Sequence, residues 1–212
     1  MRIDPRTPAE AWRAVLDGND RFVRGEPAHP DQDASHRAQI ATGQRPFATV
    51  FGCSDSRVAA EIIFDQGLGD FFVVRTAGHV VDAGVLGSVE FGISVLDIPL
   101  IVVLGHDLCG AVGAAVTAMD GGEVPTGYVR DLVERVTPSV LATRSEFESP
   151  TLDDVEVEHV RHTGRVLLER SKVIDQAVTE GRCAIVGLVY TLTDGRVRLV
   201  DVHGDIGEAR PV

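Results

Sequence analysis

Apolar residues recur at helical spacing between Thr7 and Arg24 (Ala11, Trp12, Val15, Leu16, Phe22), and Thr7 followed by Glu10 forms a capping box. This predicts an N-terminal helix in which Trp12 and Phe22 need burial. The polar stretch from Gly25 to Ser35 carries two prolines and predicts an extended connection, followed by a short helix from Ser35 to Thr42. Four unbroken apolar runs then read as buried strands: FATVFG before Cys53, FFVV before Arg75, LIVVLG before His106, and CAIVGLVYTL from Cys183. A helix from about Gly84 to Leu96 is expected between the second and third, with Val85, Leu86, Val89, Ile93 and Leu96 on one stripe and Gly87, Ser88 and Gly92 permitting close backbone approach. Gly127 to Gly181 predicts mostly helix, interrupted near Pro138 and by the acidic stretch Glu146 to Glu158. Asp194-Gly195 between two strand-like runs is a hairpin signal. Together these patterns predict an α/β fold: a mainly parallel central sheet flanked by helices on both faces, an antiparallel edge strand at the C-terminus and an N-terminal helical arm over residues 1–42. The whole chain, 1–212, is expected to be a single domain without internal repeats.

Composition agrees with one packed core, since 212 residues with 44% hydrophobic and 25% charged content lie in the ordinary globular range. A formal net charge of -12 repels phosphate backbones and anionic lipid, so neither nucleic acid nor a membrane is an expected partner. No apolar run approaches the ~20 residues of a spanning helix, and no basic-then-apolar leader opens the chain. A cytoplasmic protein is expected. Three cysteines without secretory features favour metal binding or catalysis over a disulfide framework.

Two cysteine-bearing motifs each follow a predicted strand: Cys53-Ser54-Asp55-Ser56-Arg57 and Gly105-His106-Asp107-Leu108-Cys109-Gly110. Ligands of open α/β sheets bind at the carboxyl ends of strands, where loops from two strands meet. Cys109 also opens the apolar run CGAVGAAVTAM, whose helical N-terminus would stabilise a thiolate. Zn²⁺ favours thiolate and neutral imidazole in tetrahedral geometry, and three protein ligands leave the fourth position open, the arrangement of a catalytic site. Cys53, His106 and Cys109 make that set for one zinc per chain. A closed structural site would need another ligand, but Cys183 lies inside an apolar run and reads as a core residue, and His79 is unpaired. His29, His36, His159, His162 and His203 read as surface or structural. Asp55, two positions from Cys53 and two from Arg57, is placed either to pair with Arg57 or to reach the metal. Cys53 to Arg57 is a C-x3-R spacing, too short for a phosphate-cradling C-x5-R loop.

CSDSRV at Cys53 to Val58, FFVVRTAG at Phe71 to Gly78 and GHDLCGAV at Gly105 to Val112, in that order behind a GQxP element at Gly43 to Pro46, resemble the β-class carbonic anhydrases. The resemblance implies reversible hydration of carbon dioxide to bicarbonate and a proton by a zinc-bound hydroxide. It implies two states of Asp55: held by Arg57 and accepting a hydrogen bond from the zinc water, or bound to zinc as a conditional fourth ligand with the enzyme off. It further implies a pocket of Gln44, Phe72, Ala77, Phe91 and the backbone N–H of Gly110, with Gln44 and Phe91 reaching across from a second subunit. The N-terminal helix would then clasp its partner in a homodimer or a dimer-of-dimers tetramer, although the pattern alone equally suits burial of Trp12 within one chain. Two thiolates neutralise the dication, so the bound water should be less acidic than in a three-histidine site, with activity rising toward alkaline pH. Two departures stand out. Thr76, Ala77, Gly78 and His79 follow Arg75 where the family commonly reads NxAN, and Val50 replaces the Trp of an inhibitory bicarbonate site that Arg75 and Tyr190 otherwise match, so that regulation is expected to be absent. Hydrolysis of CS2 or COS on the same scaffold and a non-catalytic bicarbonate sensor are the rival readings.

Overall fold

The computed structural model describes residues 4–207. The N-terminal helix α1 spans Pro8–Val23 and starts at the expected capping box, the Thr7 hydroxyl accepting from the Glu10 amide and the Glu10 carboxylate accepting from the Thr7 amide. A second helix, α2 (Ala34–Gln39), is capped by Asp33 and runs into a 3-10 turn, Ile40–Thr42. The sheet and its connections follow in order: β1 (Ala48–Cys53), α3 (Ala60–Ile63), β2 (Phe71–Thr76), a 3-10 turn at Ala77–His79, α4 (Ala83–Ser94), β3 (Leu100–His106), α5 (Gly110–Met119), α6 (Tyr128–Glu146), α7 (Leu152–Arg170), α8 (Lys172–Thr179), β4 (Ala184–Tyr190) and β5 (Val197–His203).

The five strands lie in the order β2-β1-β3-β4-β5, the first four parallel and β5 antiparallel to β4. This is the predicted fold class, including the antiparallel C-terminal edge. All residues of β1, β3 and β4 are buried, which is why they read as unbroken apolar runs. One face of the sheet packs on α1 and α3 through Trp12, Val15, Phe64, Leu100 and Leu188, and the other on α4, α7 and α8 through Val89, Ile101, Leu167 and Ile174. Trp12 is therefore buried within its own chain, where a side chain of this size contributes about 2–3 kcal/mol. Among the described residues no helix is long and apolar enough to cross a membrane.

Three local expectations are corrected. Pro138 does not interrupt α6: it is exposed, so the Glu134 carbonyl that its missing N–H would have met can turn to water. The acidic stretch interrupts the helices only over 147–151, because Thr151 and Asp154 form a capping box and start α7 inside it. Of the small residues in α4, only Gly92 sits at a close approach, a Cβ there lying 2.7 Å from Thr49 Oγ1, whereas Gly87 faces open space.

The chain leaves β1 for the β2 edge and returns to place β3 on the other flank of β1. That reversal opens a crevice at the carboxyl ends of β1 and β3.

Candidate metal centre

Cys53 is the last residue of β1, His106 the last of β3, and Cys109 the residue that precedes the first turn of α5. Adjacent parallel strands therefore deliver both motifs to the crevice, and the donor atoms of the three side chains lie within 4.8 Å of one another. The two sulfurs are 4.0 Å apart, and all three residues are buried. His106 Nδ1 sits 2.8 Å from the Asp107 carbonyl, which can only accept, so Nδ1 carries the proton and Nε2 presents its lone pair. Nε2 is buried without a hydrogen-bond partner among the described residues. An orphaned nitrogen facing two thiols is the donor set that zinc takes, and these residues fit the metal.

The electrostatics agree. Cys109 as donor pulls the Cys53 thiol well below its ordinary range, helped, against burial, by His106 and the backbone amides of Asp55 and Gly78. Cys109 is pushed the other way by Cys53, by burial and by Glu156, so the pair retains one proton that a metal would displace.

Asp55 stands at the mouth of the crevice. Arg57 grips it with Nε 2.9 Å from Oδ1 and Nη2 2.7 Å from Oδ2, while the Arg57 backbone amide donates to Oδ1. The Arg57 side chain thereby holds the Asp55 carboxyl well below the usual carboxylate range. With Arg57 half exposed, such a pair adds about 1 kcal/mol to stability, so its bidentate geometry serves to aim the carboxylate. Oδ2 lies 3.9 Å from His106 Nε2, on the side of the metal cluster. Arg75 braces the same turn from below, its guanidinium donating to the Cys53 and Asp55 carbonyls at 2.9 and 2.6 Å.

The five expected pocket residues separate into two groups. Ala77 follows Thr76, which pairs in register with Cys53, and Gly110 follows Cys109, so both flank the cluster. Gln44 precedes β1, whose first residue, Ala48, lies roughly 17 Å from Cys53 at the usual rise of a strand. Phe72 pairs with Thr49, four positions before the Thr76 and Cys53 level and so about 13 Å along the strand, and stacks on Phe91 with ring centroids 6.0 Å apart. Gln44, Phe72 and Phe91 thus stand away from the metal cluster of their own chain, and Phe72 groups with Phe91 rather than with Ala77.

Pattern reading missed four participants. The Glu156 carboxylate accepts the Cys109 amide at 3.1 Å, fully buried, and burial pushes its carboxyl up to about 8. Gly78 donates its amide to Cys53 Sγ at 3.3 Å, and His159, itself hydrogen-bonded to Ser139, reaches the Gly78 carbonyl. The available signal was Glu156 and His159, three positions apart among the apolar residues Val155, Val160 and Leu167 of α7.

Comparison with known proteins agrees with this geometry. The carbonic anhydrase family model matches residues 48–197. Carbonic anhydrase 2 of Mycobacterium tuberculosis is 58% identical over 201 residues, covering 95% of this chain and 97% of that protein. The carbonic anhydrase of Mycolicibacterium smegmatis is 59% identical with the same coverage. Among solved structures, the β-carbonic anhydrase CafA of Aspergillus fumigatus superposes with a TM-score of 0.70 over 90% of each chain at 26% identity. The chain belongs to the β class of the carbonic anhydrases, enzymes that hydrate carbon dioxide.

Proposed function

We propose that carbon dioxide is hydrated at one zinc ion per chain, held by Cys53, His106 and Cys109. The observation that carries this reading is the buried convergence of two thiols on the unpartnered Nε2 of His106. Zinc held there would lower the pKa of water and supply hydroxide for the attack. Asp55 accepts a hydrogen bond from the attacking water through Oδ2 and orients it, and Arg57 keeps that carboxylate ionised and aimed. Released by Arg57, Asp55 would be free to act as a conditional fourth ligand. The Arg57-held conformation is the one seen. Gly110, whose amide has no partner within its own helix, offers an N–H to the bicarbonate that forms, and Ala77 forms the apolar wall beside it.

Gln44 and Phe91 serve the site of a second copy in this reading, and Phe72, stacked on Phe91, goes with them. Their distance from the cluster of their own chain supports it, as do the outer edge of β2, unpaired among the described residues, and Phe91 at 44% exposure. The working unit is a homodimer or a dimer of dimers. A reducing compartment, the cytoplasm, suits two thiolates that must remain free to bind metal.

Stopped-flow hydration by protein of verified zinc content, between about pH 6.5 and 9, tests the proposal. A zinc-dependent rate that climbs with pH is expected, because two thiolates leave the water less acidic than three imidazoles would. A profile flat through neutrality would refute hydroxide delivery at a dithiolate zinc.

A further inference from the structure

Cys53 receives a hydrogen bond from a turn that needs outside support. Gly78 has φ 65° and His79 φ 39°, two consecutive residues in the left-handed region, which is unfavourable for His79 and persists only where the surroundings enforce it. On one side the turn is wedged against α5: a Cβ at Gly78 would lie 2.7 Å from the Ala111 Cβ. On the other side, His159 Nε2 lies 2.8 Å from the Gly78 carbonyl. A carbonyl only accepts, so Nε2 carries the proton. Burial pulls the His159 imidazole down to about 4, leaving it neutral with a bare Nδ1, and the Ser139 hydroxyl 2.9 Å away must donate to it. Ser139 and His159 are both buried, and the His79 ring packs on His159 with centroids 4.4 Å apart. The result is an ordered series: Ser139 O–H to His159, His159 N–H to the Gly78 carbonyl, and Gly78 N–H to Cys53 sulfur at 3.3 Å. The amide and carbonyl of Gly78 belong to adjacent peptide units, so His159 acts on the sulfur by placing the amide rather than by polarising it.

We propose that His159, fixed in its tautomer by Ser139, is a positioning residue for the metal centre: by holding the Gly78 turn it keeps one N–H on the Cys53 sulfur and sets how strongly that thiolate donates to a bound metal. The inference rests on Cys53 being a ligand. A hydrogen bond to the sulfur draws lone-pair density away from the metal and leaves it more electrophilic. Loss of His159 lets the turn relax, and the thiolate then donates more fully.

The test is the sulfur-to-cobalt charge-transfer absorption of the full chain loaded with cobalt(II), together with metal affinity and the pH midpoint of hydration. In His159→Leu the band should move to longer wavelength and the midpoint to more alkaline pH, while affinity should fall about 10-fold because the Cys53 thiol, without that N–H, gives up its proton less readily and its turn must be ordered on binding. His159→Gln, which keeps an N–H close to the position of Nε2, should restore most of each property, and Ser139→Ala should shift them partway. Equal behaviour of His159→Leu and His159→Gln would mean packing rather than a hydrogen bond and would overturn the inference. So would a band that moves in neither His159→Leu nor Ser139→Ala, the latter also covering the case in which His159→Leu does not fold. Absence of any sulfur-to-cobalt band in the unsubstituted protein would overturn the metal centre itself, an outcome distinguishable from the others.

Discussion

His106 and His79 are both fully buried, and both carry ring nitrogens without a hydrogen-bond partner among the described residues. At His106 one nitrogen is fixed by the Asp107 carbonyl, and the other looks toward two sulfurs and the Asp55 carboxylate. At His79 both nitrogens are orphaned, and the ring lies between those of Phe51 and His159, at centroid distances of 6.4 and 4.4 Å. An unpartnered buried nitrogen thus signals a ligand when a second bond sets its tautomer and other donors face it. Without those features it is a desolvation cost of about 1–3 kcal/mol, met elsewhere in the fold.

The largest effect should separate these two residues. His106→Ala should lose zinc on dialysis against a chelator and with it all zinc-dependent hydration, whereas His79→Phe should retain one zinc per chain and most of its rate. Loss of zinc from His79→Phe would erase the distinction. Next in size, Asp55→Ala and Arg57→Ala should each lower turnover by about 10²-fold or more while metal analysis still finds one zinc per chain. Near-normal turnover in either variant would remove the dyad from the mechanism.

The buried imidazoles also make a prediction about acid stability. His159 is held neutral at about 4, below the ordinary 6.5, by burial, with His162 adding repulsion, and His79 is depressed in the same direction. The unfolded chain therefore binds more protons than the folded one between these values. The stability due to neutral His159 is complete above about pH 6.5 and is lost as pH falls through about 4, a difference of roughly 3 kcal/mol. Urea unfolding of the metal-free chain at pH 7 and pH 4 should show a smaller loss in His159→Gln; an identical loss would contradict the assignment.

The smallest effect concerns the second copy. Gln44→Ala should lower the rate by about 10-fold, in the range for one buried polar contact to a reacting species. Mixing it with the metal-deficient Cys53→Ala chain should recover activity, because each mixed dimer then contains one complete site. Mixtures no more active than their parts would confine Gln44 to a structural role.

Much of this was legible in the chain because buried parallel strands read as unbroken apolar runs, and the runs ending at Cys53 and His106 placed both motifs at one sheet edge. The capping box at Thr7 located α1 to within a residue. Pro138 misled because a proline reads as a break until its exposure is known, and the acidic stretch marked a real break between α6 and α7 but not how early α7 begins within it. The division of Gln44, Phe72 and Phe91 from Ala77 and Gly110 depends on strand register, which no local pattern encodes. The Gly78 turn was visible only as a departure from the family's usual residues, and its role required knowing what stood behind it.

Under the proposed function, Cys53, His106 and Cys109 hold the one zinc that catalyses hydration. Titrating the metal-free protein with zinc while following carbon dioxide hydration by stopped flow tests it most directly. The rate should rise linearly and break at one zinc per chain. Hydration by the metal-free protein, or a fully loaded protein that stays inert from neutral to alkaline pH, would contradict it.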